Sequence, residues 1–129
     1  MADWTATQLT FLRDVVEVRV VPFDDAGDTG SGRIIWIVVT LGRVFVRSWK
    51  GESAKWFVDA VRTGRGRITT EGVDVPADPF RVDVTWRPDQ DAATAAAIDA
   101  EFLRKYGDPY AAEMNLPLAA RTTLELTPA

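Results

Sequence analysis

The densest group of residues that could do chemistry lies at positions 47–57. Three cations and two serines fall within nine residues, together with a glycine and a flanking pair of tryptophans: Arg47, Ser48, Trp49, Lys50, Gly51, Ser53, Lys55 and Trp56. An apolar stretch that predicts a strand precedes them, and an amphipathic stretch that predicts a helix follows. Because the first N–H groups of a helix favour negative charge, a helix start is a common place for an anion. The stretch therefore predicts a site for a phosphate or a similar anion.

The same residues also have a purely structural interpretation. A solvated hairpin end, followed by a helix with Ser53 as its N-cap, would use the same serines and lysines. Trp56 recurs with Phe57 and Ala60 at helical spacing, which is typical of a buried helix face. Trp49 fits either interpretation. The sequence leaves the anion site and the solvated hairpin end both open.

Two residue types are missing from the chain, which contains no histidine and no cysteine. Their absence excludes Ser-His-Asp triads, a histidine general base, thiol nucleophiles and disulfides. It also excludes most zinc sites, and no other cluster predicts a metal. Any chemistry must therefore come from a bound cofactor, a carboxylate, a lysine or a tyrosine.

Length and charge narrow the class of protein. The 129 residues predict a single domain over 1–129, and the net charge of −4 disfavours binding to nucleic acid or to an anionic membrane. The longest apolar run, at 34–39, is too short to cross a bilayer, and the N-terminus does not resemble a signal peptide. We therefore expect a cytoplasmic protein that binds neither nucleic acid nor membrane.

The hydrophobic pattern predicts a helix, three strands, a helix, about three strands, a long helix and a closing strand. Residues 33–41 are apolar on both faces, which predicts a central strand, and 44–49 return as its hairpin partner. A polar, glycine-rich connector is predicted at 24–32 and a short strand at 73–75. Thr5 and Gln8 are spaced as a capping box, and Gly64 stands where a helix C-cap is expected.

Six or seven strands with mostly hairpin connections favour antiparallel pairing. A chain of this length protects its strand edges best by closing the sheet on itself. The predicted fold is α+β and mainly β: a small antiparallel split β-barrel with about three helices packed outside it.

Several segments in order resemble a known family. They are 35–39 (IWIVV), 44–48 (VFVRS), 53–57 (SAKWF), 98–107 (IDAEFLRKYG) and 121–128 (RTTLELTP). Over nearly its whole length the chain resembles the uncharacterised bacterial domain-of-unknown-function family number 2255. That family is in turn similar to the split-barrel flavin and deazaflavin oxidoreductases, which are pyridoxamine-phosphate-oxidase-like.

The resemblance implies an oxidoreductase of the nitroreductase or quinone-reductase kind, acting on a small organic substrate. FMN or a deazaflavin would carry the hydride chemistry, and the cofactor would lie in a homodimer. The residues that the resemblance assigns to the cofactor, with Trp49 near its ring, are Arg47, Ser48, Trp49, Lys50, Ser53 and Lys55.

A substrate pocket is predicted from aromatic residues, namely Trp36, Tyr106 and Tyr110. Each also fits a simple packing role, with its polar atom satisfied by the fold. Two other functions stay open from the sequence. One is a small-molecule binding or accessory protein without a redox cofactor, and the other is an isomerase or cyclase on the same barrel that uses a carboxylate or tyrosine.

Overall fold

The computed structural model describes residues 3–24, 32–73, 79–89, 91–108 and 110–129. Most of the glycine-rich connector predicted at 24–32, and two of the three residues of the strand predicted at 73–75, lie outside these ranges. The helices are α1 (Ala6–Asp14), α2 (Lys55–Thr63), α3 (Ala92–Tyr106), α4 (Tyr110–Met114) and α5 (Pro117–Ala120), with one 3-10 turn at Gly51–Ser53. The strands are β1 (Val18–Pro22), β2 (Arg33–Ile35), β3 (Val38–Thr40), β4 (Arg43–Val46), β5 (Arg65–Thr69), β6 (Arg81–Pro88) and β7 (Leu124–Pro128).

All seven strands belong to one antiparallel sheet in the order β2-β1-β5-β6-β7-β4-β3. The two outermost strands, β2 and β3, are neighbours in the chain and are joined only by Trp36 and Ile37. Because two residues bridge the two ends of the sheet, the sheet must curl round on itself. The predicted α+β split barrel is confirmed, and the described ranges place five α-helices around it rather than about three.

The single central strand predicted at 33–41 is wrong. The chain leaves the sheet at Trp36 and Ile37, and its two halves form the opposite edges β2 and β3. The apolar pattern on both faces is nevertheless explained, because Ile37 and Val38 are fully buried where the curled sheet nearly closes. The burial of these two residues comes from barrel closure and not from a central position in the sheet, whereas Ile34 of β2 is 39% exposed.

The barrel is covered on both sides. Its interior holds side chains of most strands together with Leu12 of α1 and Trp56 and Ala60 of α2. A second cluster lies on the outer face, where Phe45 of β4 packs against α3, α4 and α5. Consecutive side chains of β4 therefore serve two different cores, as the pleat of a strand requires.

Three predicted helix ends can be compared with the structure. Thr5 and Gln8 form the predicted capping box, and Gly64 ends α2 with a left-handed φ of 71°. The predicted N-cap at Ser53 is wrong. The N-cap of α2 is Ala54, which offers no side-chain hydrogen bond, while the Ser53 hydroxyl donates to the carbonyl of Lys50 at 3.2 Å.

Candidate functional site

Two adjoining cavities open beside the edge strand β2. The first, here called the aromatic cavity, has a volume of about 290 Å³. The second, the cationic cavity, has a volume of about 310 Å³. They share the side chains of Ile34, Ile35 and Trp49. Both volumes are at the lower end of the range for small-molecule pockets.

The polar and aromatic lining of the two cavities is different. The aromatic cavity is lined by Trp36, Trp49, Tyr110, Arg47, Glu17 and Glu113. The cationic cavity is lined by Arg33, Lys50, Lys55, Ser48, Ser53 and Trp56. The predicted cofactor residues thus lie around this pair of cavities, but Arg47 and the two lysines are in different ones. Their role in binding stays a prediction.

Arg47 is fully buried beside the aromatic cavity. Its Nε donates to Thr123 Oγ1 at 2.9 Å, and its Nη1 donates to Asp99 Oδ1 at 2.7 Å. Nη1 also reaches the Met114 carbonyl and Asn115 Oδ1, each at 3.1 Å. The remaining nitrogen, Nη2, has no hydrogen-bond partner among the described residues. The guanidinium therefore ties the end of β4 to α3 and α4, and leaves one donor nitrogen unused.

Ser48 and Trp49 follow β4 where the two cavities meet. The backbone N–H of Ser48 donates to Thr122 Oγ1 at 2.7 Å, but the buried Ser48 hydroxyl has no partner in the described part of the chain. Trp49 is 60% exposed, and its Nε1 donates to Glu113 Oε2 at 2.7 Å. The indole ring therefore forms a wall shared by both cavities, held by one hydrogen bond.

The start of α2 faces the cationic cavity through Ala54, Lys55 and Trp56. Since Ala54 supplies no side-chain cap, the positive end of the helix is not neutralised by a capping oxygen. Lys55 is largely exposed and forms a 2.8 Å ion pair with Asp59 one turn later. Of the predicted anion-site residues, Lys50, Ser53 and Lys55 are exposed at this cavity.

Tyr106 and Trp36 form a stacked pair, with ring centroids 4.0 Å apart and planes within 3° of parallel. The Tyr106 hydroxyl donates to the Val16 carbonyl at 2.6 Å and accepts from the backbone N–H of Ile37 at 3.1 Å. Trp36 and Tyr110 line the aromatic cavity, whereas Tyr106 does not. Tyr106 therefore does not line the cavity, but it packs on Trp36, which does.

Lys105 completes this attachment of α3 to the short link between β2 and β3. Its Nζ donates to the Ile37 carbonyl at 2.6 Å and to the Leu12 carbonyl at 3.0 Å, and lies 5.2 Å from the Tyr106 ring centroid. Burial lowers the pKa of Lys105 to about 8, against an attraction from Glu101 that raises it. Burial likewise raises the pKa of Tyr106 above its ordinary value.

The lowered pKa of Lys105 predicts a rise in stability with pH. Between pH values of about 8, the pKa of Lys105 in the folded chain, and 10.5, its ordinary pKa, the ammonium has lost its proton in the folded chain but keeps it in the unfolded chain. The free energy of unfolding therefore increases with pH in that window. Above pH 10 the raised pKa of Tyr106 acts in the opposite direction, so urea denaturation is best measured from pH 7 to 10.

The matched variant for this measurement is Lys105→Met, whose stability should lack the rise. Three charged groups influence Lys105 and remain in the variant: Glu101 and Asp14, which favour its charged form, and Arg104, which disfavours it. A wild-type curve that is flat or falling from pH 8 to 10 would contradict the prediction. So would an unchanged rise in Lys105→Met.

Sequence reasoning missed several lining residues. Glu17 and Glu113 were not identified, nor was Arg33 at the start of β2. Glu113 could have been found from its spacing, because it lies three residues after Tyr110 and shares a helix face with it. Nothing in the sequence places Glu17 or Arg33 near Trp49, since that contact depends on how the sheet curls.

The described residues contain no group of three or more acidic side chains that could hold a metal ion. They also include no helix that is long and apolar enough to span a membrane.

Comparison with known proteins gives one family and several similar folds. The profile of a family described as "Uncharacterized protein conserved in bacteria (DUF2255)" matches residues 8–126. No protein of curated function matches the sequence.

Three solved structures have a similar fold. HutZ, the heme storage protein of Vibrio cholerae, is 11% identical with a TM-score of 0.72, covering 96% of this chain and 89% of HutZ. The conserved hypothetical protein Rv2991 of Mycobacterium tuberculosis is 11% identical with a TM-score of 0.63, and the match covers 99% of this chain and 81% of Rv2991. A heme binding protein of Mycobacterium smegmatis is 13% identical with a TM-score of 0.54, covering 98% of this chain and 52% of that one. At these identities the likeness shows the fold alone.

The predicted flavin chemistry is corrected by these neighbours. Two of the three are described as heme proteins, which contradicts the prediction of FMN or a deazaflavin and of a flavin-type oxidoreductase. The geometry gives a physical reason. The residues predicted to grip one phosphate are divided, because the charge of Arg47 is paired with Asp99 while Lys50 and Lys55 line a different cavity.

Proposed function

The chain belongs to this family of uncharacterised bacterial proteins, and we propose that it binds a conjugated, hydrophobic, acidic small molecule of the tetrapyrrole class. The observation that carries the proposal is the pair of adjoining cavities. One offers three aromatic side chains and the other offers three cations. A flat apolar ring system with acidic side groups is complementary to both.

Trp49 is the residue on which the proposal depends most. It borders both cavities, it is largely exposed, and its hydrogen bond to Glu113 fixes the plane of the indole. A flat ring can stack on such a surface at little entropic cost, because the indole is already held in place. Arg33, Lys50 and Lys55 would then meet acidic groups at the edge of the ring.

Heme is the first member of the class to test, since two proteins of similar fold are described as heme storage and heme binding proteins. The aromatic walls and the cations fit its ring and its carboxylates. An iron ligand is harder to supply, because the chain has no histidine or cysteine. Tyr110 and Met114 carry the remaining donor types suited to heme iron at the aromatic cavity. A bound heme would supply any redox chemistry, while these residues hold and orient it.

The proposal is tested by titrating the purified protein with protoporphyrin IX and with hemin. Binding is read from the absorbance of the ligand and from quenching of tryptophan fluorescence. We expect saturable binding with a one-to-one stoichiometry per chain. Failure of both ligands to bind at tens of micromolar would rule out a site for cyclic tetrapyrroles.

Trp49→Ala is expected to weaken protoporphyrin binding about tenfold, because loss of one stacking surface costs about 1–3 kcal/mol. Leu103→Ala is the control, since Leu103 is also an exposed apolar side chain but lines neither cavity. Isothermal titration calorimetry gives the dissociation constants. Equal constants for Trp49→Ala and wild type would place the ligand elsewhere.

The homodimer implied by the family resemblance stays a prediction, and so does a cytoplasmic location.

A further inference from the structure

The two cavities differ in charge as well as in shape. Glu17 and Glu113 line the aromatic cavity, and Arg47, the one cation among its described lining residues, already forms a 2.7 Å ion pair with Asp99. The cationic cavity is lined by three cations, and no carboxylate belongs to its described lining. Lys55 is paired with Asp59 at 2.8 Å, which leaves Arg33 and Lys50 as the cations that carry the difference in charge. A negative group is therefore favoured in the cationic cavity and disfavoured in the aromatic one.

Each cavity is also lined by a residue with a buried polar atom that lacks a partner. Arg47 lines the aromatic cavity and Ser48 lines the cationic cavity, and neither Arg47 Nη2 nor the Ser48 hydroxyl has a hydrogen-bond partner among the described residues. Both side chains are at most 1% exposed. A third such atom, Trp86 Nε1, belongs to a residue that lines neither cavity. A buried donor without a hydrogen-bond partner raises the free energy of the folded chain. A ligand acceptor that pairs with the donor would remove most of this penalty and so strengthen binding.

We propose that the ligand carries an acidic group at one end, which binds in the cationic cavity and accepts from the Ser48 hydroxyl. At its other end it carries an uncharged carbonyl oxygen, which accepts from Arg47 Nη2. A carboxylate at that second end would face Glu17 and Glu113 beside a guanidinium that is already neutralised. An uncharged acceptor satisfies Nη2 without this repulsion. This inference rests on the proposed function and adds the polarity of the ligand.

Within the tetrapyrroles, this pattern separates two chemical classes. A cyclic tetrapyrrole carries its propionates at one edge and has apolar substituents at the opposite edge. An open-chain tetrapyrrole has propionates and, at its two ends, lactam carbonyl oxygens. The open-chain class offers both the acid and the uncharged acceptor. It also needs no axial ligand, which is consistent with a chain that lacks histidine and cysteine.

The first experiment compares biliverdin with iron-free protoporphyrin IX by fluorescence quenching. We expect biliverdin to bind about tenfold more tightly, the effect of one hydrogen bond to a charged donor. The same comparison is made with small rigid probes: a naphthoquinone sulfonate, which has both groups, and a naphthalene sulfonate, which lacks the carbonyls. Equal affinities within both pairs would overturn the inference but leave the proposed function standing. If no probe of either pair binds, the proposed function itself fails.

The second experiment uses Ser48→Ala, which removes a hydroxyl that has no partner in the described structure. The free energy of unfolding should stay the same or rise slightly, because a buried unsatisfied group is lost. Affinity for the naphthoquinone sulfonate should fall about fivefold, and affinity for the uncharged naphthoquinone should not change. An unaltered sulfonate affinity would contradict the assignment of this hydroxyl.

Ser53→Ala is the matched control for Ser48→Ala. Ser53 lines the same cavity, but its hydroxyl already donates to the Lys50 carbonyl. We expect a smaller loss of sulfonate affinity than in Ser48→Ala. A loss that is equal or larger would move the acidic group away from Ser48 and overturn that part of the inference.

Discussion

Arg47→Met is expected to lower the free energy of unfolding by about 3 kcal/mol. The arginine side chain is fully buried and donates to four groups on three parts of the chain. Methionine keeps the apolar stem and removes every one of these donors. Asp99, which is 40% exposed, can turn to water, so the loss should stay below that of a fully buried pair. Urea denaturation followed by tryptophan fluorescence measures the change.

Two further variants test what makes Arg47 important. One keeps its charge but not its geometry, and the other removes an exposed lysine for comparison. Arg47→Lys keeps the positive charge but cannot supply the planar fork of donors, so we expect an intermediate loss. Lys55→Met breaks the exposed ion pair with Asp59 and should change stability by less than about 0.5 kcal/mol. If Arg47→Met were as stable as wild type, the buried guanidinium would have no structural role.

Tyr106→Phe is expected to cost about 2 kcal/mol of stability, because it leaves the Val16 carbonyl and the Ile37 N–H without their partner. The ring and its stacking on Trp36 are retained, so the loss isolates the hydroxyl. The link between the two edge strands would be less firmly held. We therefore also expect the fluorescence of Trp36 to shift toward that of a more hydrated indole.

Tyr110→Phe is the matched control for Tyr106→Phe. Tyr110 is 71% exposed and lines the aromatic cavity, so its hydroxyl should contribute less than about 0.5 kcal/mol to folding. Denaturation of the two variants under the same conditions gives the comparison. Equal losses would show that the hydroxyl of Tyr106 does not anchor the link between β2 and β3.

Much of the architecture follows from local patterns. The alternation of apolar and polar residues predicts most strands, the capping residues predict the helix ends at Thr5 and Gly64, and the short connections predict antiparallel pairing. The prediction of a single central strand at 33–41 failed for a specific reason. A strand that is apolar on both faces predicts a central position, but a break of two residues in such a strand leaves no signal in the hydrophobic pattern. The same chain can then supply both edges of a curled sheet.

The candidate site, like the fold, was predicted from the sequence only in part. The composition of 47–57 indicates where polar side chains concentrate, and all six predicted cofactor residues do line one of the two cavities. Their partners were not predictable. Arg47 is bound by residues 52 to 76 positions away, and Tyr106 reaches Val16 across 90 positions. Contacts over such distances depend on packing, which no local pattern records.

The sequence alone determined the chemistry that this protein lacks and the region in which polar groups gather. Without histidine and cysteine, no arrangement of the chain could form a thiol nucleophile or an imidazole base. The tertiary structure decided how the residues at 47–57 are used. Arg47 and Ser48, the two residues that follow β4, line different cavities. Burial then left each residue with one polar atom that has no hydrogen-bond partner in the described part of the chain. A cluster that is continuous in sequence is thus divided between the linings of two adjoining cavities, which share Trp49.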